Sequence, residues 1–172
     1  EVNCLVYFED LSELDAFDKF VYDHLMPVKN DPEKFGYQCV VDENEIILDQ
    51  PEKLLISATD LSIERLEKEV HQRGGLFIPA HIDRVSNGIL GQLGFIPGEL
   101  QCDALELSKH TSVNEFVQQN PLYINNTFFQ SSDAHFINDI GAATTGFYLD
   151  HLSFSEIEMA LKNMGGRKIS VE

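Results

Sequence analysis

Two polar tips in this sequence carry the residue types that could do chemistry. The first is Ser131-Ser132-Asp133-Ala134-His135, where an apolar run from Tyr123 to Phe129 turns abruptly polar. On an extended backbone, alternation puts Asp133 and His135 on one side, so a carboxylate and an imidazole could grip one divalent cation or two neighbouring ones. The second is His81-Ile82-Asp83-Arg84, which ends the apolar stretch Leu76-Phe77-Ile78-Pro79-Ala80. Between them, Ala104-Leu105-Glu106-Leu107 reads as a strand tipped by Ser108-Lys109-His110. In parallel β/α folds the C-terminal strand ends share one face, and three such tips in succession predict one multi-ligand pocket there.

The elements that must position these tips follow from periodicity and caps. Val2–Phe8 reads as a buried strand with Asn3 as its conspicuous polar residue. A helix opened by Ser12 carries Leu14, Phe17, Phe20, Val21 and Leu25 on one face, and Pro27 stops it. From Pro27 to Pro51 the helical period is lost, and Val40-Val41 and Ile46-Ile47-Leu48 flank an acidic turn, a small hairpin excursion over residues 38–49. A helix capped by Ser62 turns Leu66 and Val70 inward and stops at Gly74-Gly75, just before the His81 strand. His24 and His71 read as surface or packing histidines of their helices. A glycine-punctuated loop with one short helix spans Gly88–Gly98. Ser112 and Glu115 form a capping box, and Ser153 with Glu156 caps a last helix. Strands are expected at Gly146–Leu149 and Arg167–Val171. Helix, glycine, apolar strand and polar tip in repetition predict an α/β fold with parallel strands, read as one domain over residues 1–172.

The 172 residues are 43% apolar, enough for a sizeable core. No apolar run approaches ~18 residues, so no membrane-spanning segment is expected, and the chain opens without a signal-peptide pattern. Twelve basic against 29 acidic residues give a formal charge of −17, which argues against binding nucleic acid through a broad basic face. A small anionic substrate remains compatible, because bound metals can reverse the field locally. Cys4, Cys39 and Cys102 form neither a disulfide framework nor a zinc motif, and a reducing cytoplasm is the expected setting.

Ile78-Pro79-Ala80-His81-Ile82-Asp83-Arg84, with Ser131-Ser132-Asp133-Ala134-His135 and Asn138-Asp139-Ile140-Gly141, resembles the PHP (polymerase and histidinol phosphatase) family. The resemblance covers essentially the whole chain. It implies a distorted seven-stranded β/α, TIM-like barrel that binds two or three divalent ions (Zn, Mn or Fe) and hydrolyses phosphoesters. Carried over by position, His81, Asp133 and His135 are implied as metal ligands. Asn3 stands where the family normally has a histidine. An amide oxygen is a poor zinc ligand and a tolerable one for harder ions.

The family's His-x-His strand, Asp-His tip and Gly-x-Glu strand are absent from this sequence, and the chain opens within a strand without a methionine. The expectation is therefore the C-terminal two-thirds of a PHP domain, inactive alone and with a possible homo-oligomeric state. Arg84, whose fork matches a phosphate oxygen pair, is the expected phosphate binder, with Asp83, Lys109 and His110 as further pocket residues. The function expected is a metal-dependent phosphoesterase acting on a small phosphorylated metabolite, with nucleic acid disfavoured. The alternatives are a non-catalytic PHP-like binding module and an oligonucleotide nuclease.

Overall fold

A computed structural model describes residues 1–171. Along the chain come β1 (Cys4–Tyr7), α1 (Leu11–His24), α2 (Pro32–Phe35), β2 (Val40–Val41) and β3 (Ile47–Asp49). They are followed by α3 (Ile63–Gln72), β4 (Leu76–Pro79), α4 (Ile89–Leu93), β5 (Leu105–Leu107) and α5 (Val113–Gln119). The remainder is β6 (Phe128–Gln130), β7 (Thr145–Tyr148), α6 (Phe154–Leu161) and β8 (Lys168–Val171). Two compact units result: Glu1–Glu9 with the chain from Ile63 onward, and Asp10–Ser62.

All candidate site residues lie in the first unit. Its β5 and β6 are parallel, with Leu105 opposite Phe128 and Leu107 opposite Gln130. Strands β4 and β5 run the same way, joined by Asp103 N–H to Phe77 O at 3.0 Å and Ile82 N–H to Glu106 O at 2.8 Å. The outer pairs depart from the all-parallel expectation: β1 is antiparallel to β4 and β7 to β8. Among the described residues the strands form two-stranded pairs, with no closed ring. A buried strand has the same apolar content in either direction, so its polar tip does not reveal which way its neighbour runs. The strand expected over Tyr123–Phe129 is shorter, because Pro121–Tyr123 is a 3₁₀ turn and β6 begins at Phe128.

All four residues of β4 are buried, as suits a strand covered on both faces. Leu76, Ile78, Ala104 and Leu161 form one cluster, with Leu5, Phe129, Phe147 and Ile157 packed against it. Gly75 lets the turn between α3 and β4 pass close to Phe8 and Val70, because a Cβ there would lie 2.6 Å from the Phe8 ring. The Ser112–Glu115 capping box of α5 forms reciprocally. In α6, Ser153 accepts the Glu156 N–H, but the Glu156 carboxylate turns away to Arg167 at 2.8 Å and to the Asp150 N–H at 2.9 Å. Those bonds tie the start of α6 to β8 and pull the Glu156 carboxyl down to about 2, Arg167 being the larger cause.

His71 is no isolated helix histidine. Its Nδ1 lies 2.6 Å from Glu67 Oε1 and its Nε2 2.9 Å from Asp103 Oδ2, which also accepts the Phe77 N–H at 2.8 Å. The cluster fastens α3 to the start of β4 and borders a cleft of about 600 Å³ at the strand beginnings, opposite the polar tips. Cys102 lines the same cleft, and burial pushes its thiol up to about 12, leaving it inert.

In the second unit, α1 is capped by Asp10, not by Ser12. The Asp10 carboxylate accepts both the backbone N–H and the hydroxyl of Ser12 at 2.7 Å. At the other end of α1, Lys53 Nζ donates to the Tyr22 carbonyl at 2.6 Å and satisfies a terminal acceptor. Strands β2 and β3 pair antiparallel around Asp42, whose carboxylate accepts the N–H groups of Asn44 and Ile46.

Candidate functional site

The chain leaves β4 through a tightly wound loop. His81 is 7% exposed and has a φ of +31°, in a region that costs a non-glycine residue roughly 1–3 kcal/mol. Its neighbours are tied on both sides: Ala80 N–H donates to Asn3 O at 2.9 Å, and Asn3 N–H to Asn87 O at 2.9 Å. Gly88 lets the loop close, since a Cβ there would meet the Arg84 carbonyl at 2.4 Å and that of His81 at 2.7 Å. The Asn3 amide nitrogen faces His81 Nε2 at 3.5 Å, so the position read as a replaced histidine does lie against the His81 ring. His81 Nδ1 is buried without a hydrogen-bond partner.

Strand β6 delivers the second tip. Gln130 anchors its end, donating through Nε2 to the carbonyls of Ser108 and Thr111 at 2.8 Å each. Asp133 also has a positive φ, +46°. Arg84 Nη1 donates to Asp133 Oδ2 at 2.9 Å and so joins the two tips. The middle strand contributes Glu106, 4% exposed. Its Oε2 accepts the His81 N–H at 3.0 Å and its Oε1 accepts the Ser131 hydroxyl at 2.5 Å.

The structure thus links Asn3, His81, Arg84 and Asp133 with Glu106, a residue the sequence did not single out, while His135 touches this set only through the Asp133 backbone. Asp83 accepts Ser108 N–H at 2.7 Å, Ser108 Oγ at 2.6 Å and Thr111 Oγ1 at 2.7 Å. Burial alone would raise its carboxyl, but these bonds outweigh burial and hold it below the usual carboxylate range. Asp83 therefore holds the turn after β5. Lys109 and His110 ride on that turn, half-buried and exposed respectively. His135 is exposed, its Nδ1 3.0 Å from the Asp133 carbonyl.

The divalent metals implied by the PHP resemblance do not find a complete set in this arrangement. Among the described residues no three His, Cys, Asp or Glu side chains converge as a metal-binding group. One Asp133 oxygen is engaged by Arg84 and the His81 ring faces an amide.

Glu106 was missed from sequence because Ala104–Leu107 reads as a strand by its apolar content. The signal was available nonetheless: a carboxylate inside a buried strand must be fully hydrogen-bonded, and it marks the place where that strand holds its neighbours.

No family model matches the chain. The uncharacterized protein YqxK of Bacillus subtilis (strain 168) is 35% identical over 111 residues, 60% of this chain and 28% of its own length. Among solved structures, the lesion-specific endonuclease PfuEndoQ from Pyrococcus furiosus superposes with a TM-score of 0.74 at 21% identity, over 98% of this chain and 37% of its own. A complex of Endonuclease Q with a 27-mer duplex substrate carrying an abasic lesion at its active site gives 0.73 at 19% identity, over 97% and 38%. The chain therefore has the fold of a part of these enzymes and spans well under half the length of each protein it matches.

The expectation of a small phosphorylated substrate with nucleic acid disfavoured is corrected by this likeness, since Endonuclease Q, whose fold this chain shares in part, is solved with a 27-mer duplex substrate carrying an abasic lesion. The formal charge of −17 is a sum over the whole chain, whereas a phosphate backbone responds to the local field at the groups that touch it. No helix among the described residues is long and apolar enough to cross a membrane.

Proposed function

We propose that this chain belongs to a PHP-type phosphoesterase that acts on nucleic acid, and that the tips of β4, β5 and β6 form the face that meets the phosphodiester. The observation that carries this reading is the joining of two strained, non-glycine tips. His81 and Asp133 both hold positive φ, and Arg84 spans from one loop to the other. Such strain persists where the surroundings over-determine it, and it clusters at functional sites. In this reading Arg84 supplies donors to a phosphate oxygen, because a planar guanidinium bonded to one carboxylate retains further N–H groups. His81 presents its imidazole beside the Asn3 amide, and Glu106 keeps both tips in place. Metal dependence is part of the proposal, with His81, Asp133 and His135 as ligands and Asn3 in a histidine's position. The PHP resemblance of the His81 and Asp133 tips implies these ligands.

A second reading is favoured by one observation, the Asn3 amide where the PHP pattern has an imidazole. In it the same face recognises damaged nucleic acid without cutting it. One experiment addresses both. The full protein is mixed with fluorescent 27-mer duplexes, intact or with a single abasic site, with manganese or with EDTA, and binding and strand cleavage are followed together. Manganese-dependent cleavage at the lesion supports the enzyme, and lesion-dependent binding without cleavage supports the second reading. Equal, negligible binding of both duplexes at low salt would overturn both.

A further inference from the structure

We infer that Glu106 is a positioning residue for the proposed site: its buried carboxylate fixes the β4 and β6 tips relative to each other by accepting from the His81 backbone and the Ser131 hydroxyl. The inference rests on the functional reading above and names a residue within it. Burying a carboxylate costs several kcal/mol unless every lone pair that matters is used. A strand residue whose only task was to fill the core would be apolar, as are Leu105 and Leu107 on either side, both fully buried. Glu106 is placed to do what those neighbours cannot.

With φ at +31°, the His81 N–H has left the sheet ladder, and Oε2 of Glu106 is its acceptor at 3.0 Å. The other carboxylate oxygen reaches Ser131 at 2.5 Å, two residues before Asp133, itself strained at +46°. One rigid, two-pronged group thus spans the two loops from beneath, while Arg84 and Asp133 close them from the solvent side at 2.9 Å. Because the Glu106 backbone carbonyl also accepts the Ile82 N–H at 2.8 Å, the bracket is built into β5 itself and cannot drift with a loop. A neutral amide of the same shape would serve: one oxygen can accept from His81 while the NH₂ donates to Ser131 Oγ. An apolar truncation would leave both tips unheld.

The test uses the full protein and three variants: Glu106→Gln, Glu106→Ala and Ser131→Ala. Amide hydrogen exchange reports the geometry directly. In Glu106→Ala the His81 amide should lose protection about tenfold or more, while Phe77 and Leu105 keep theirs. Kinetics on the abasic 27-mer duplex report the role. Displacing a reacting group by about 1 Å costs up to about a hundredfold in rate, so kcat should fall at least about tenfold in Glu106→Ala with KM moved less than about twofold. Glu106→Gln should keep most of both. If Glu106→Ala does not fold, Ser131→Ala, which removes one hydroxyl, carries both measurements with smaller effects. Unchanged His81 exchange in Glu106→Ala, or in Ser131→Ala where Glu106→Ala does not fold, overturns the inference, as does an unchanged kcat accompanied by a lower melting temperature in the same variant. A wild-type protein that neither binds nor cleaves nucleic acid overturns the functional reading instead, and the exchange arm then decides alone whether Glu106 holds the His81 tip.

Discussion

The Arg84 guanidinium meets the Asp133 carboxylate at 2.9 Å, joining the loop after β4 to the loop after β6. Both side chains are about half exposed, at 48% and 46%, so the pair adds only ~0–1 kcal/mol to stability. Its value lies in placing a forked cation at the strand tips. Arg84→Ala should therefore leave urea-unfolding stability within about 1 kcal/mol of wild type. It should weaken binding to the abasic duplex by about tenfold, the loss expected for one charge-assisted hydrogen bond. Arg84→Lys should recover only part of that, because an ammonium lacks the fork. Fluorescence anisotropy at fixed salt reads the result. Wild-type affinity in Arg84→Ala would make the guanidinium no more than a counter-ion for Asp133.

What could be read from sequence here was local. The cap pairs Ser112/Glu115 and Ser153/Glu156 announce their helices because the bonding partners lie three residues apart, and α5 and α6 begin where those pairs place them. The polar tips after β4 and β6 were equally visible, because an apolar run must end where its side chains meet water. The Glu106 bracket and the His71–Asp103 bond span 25 and 32 residues, and nothing in the residue types announces which carboxylate finds which donor. Strand direction was hidden for a related reason, since β1 and β8 have ordinary strand compositions and only tertiary packing turns them antiparallel to their partners. Asp83 shows the reverse error. It looked like a pocket residue because it sits beside His81, yet its side chain turns toward Ser108 and Thr111.

Asp83 should accordingly matter for stability more than for binding. Its carboxylate accepts three bonds that hold the turn after β5. Asp83→Ala should cost about 1–3 kcal/mol in urea unfolding by leaving those donors without their acceptor. Asp83→Asn should cost less, since the amide oxygen can still accept the Ser108 N–H. Affinity for the abasic duplex, measured well below the unfolding midpoint, should change by less than about threefold. A large loss of affinity without a loss of stability would return Asp83 to the pocket.

The His71 cluster makes a test at the opposite end of the strands. Removing the imidazole leaves Glu67, 5% exposed, without its 2.6 Å partner and takes away the 2.9 Å contact to Asp103. Because the imidazole is itself partly exposed, His71→Ala should cost about 1–3 kcal/mol, below the full penalty of a broken buried pair. Adding Glu67→Met to that variant should restore part of the loss, because the unpaired buried carboxylate is gone. Chemical denaturation of the single and double variants measures this. A double variant no more stable than the single would mean that Glu67 is well solvated.

Asn3 gives a test of the metal reading. Its amide faces His81 Nε2 at 3.5 Å, so Asn3→His would set a second imidazole at the same place. Imidazole binds zinc and manganese far better than an amide does. Metal retained after dialysis, measured by elemental analysis of the full protein, should rise in Asn3→His and fall again in Asn3→His/His81→Gln. Identical metal content in wild type and Asn3→His would make Asn3 a packed strand residue and nothing more.

The last expectation concerns acid. Glu156 has its carboxyl pulled down to about 2 from an ordinary 4.5, chiefly by Arg167 and then by the Asp150 N–H. In the unfolded chain those partners are gone and the ordinary value returns. Between the two values the unfolded state binds a proton that the folded state refuses, so stability falls as the pH falls. The contribution is complete above about pH 4.5 and is lost progressively from there down toward pH 2. Asp83, also held below its ordinary range, adds to the same acid limb. In urea unfolding at a series of pH values, the gap between wild type and Glu156→Gln should be constant from pH 5 to 7. It should then close as the pH approaches 2, since the glutamine variant has no proton to take up there. Arg167→Ala should flatten the wild-type slope in the same window by removing the main cause of the shift. A gap between wild type and Glu156→Gln that persists undiminished at pH 2 to 3 would show that Glu156 stabilises α6 and β8 by its shape and its neutral hydrogen bonds, and not by its charge.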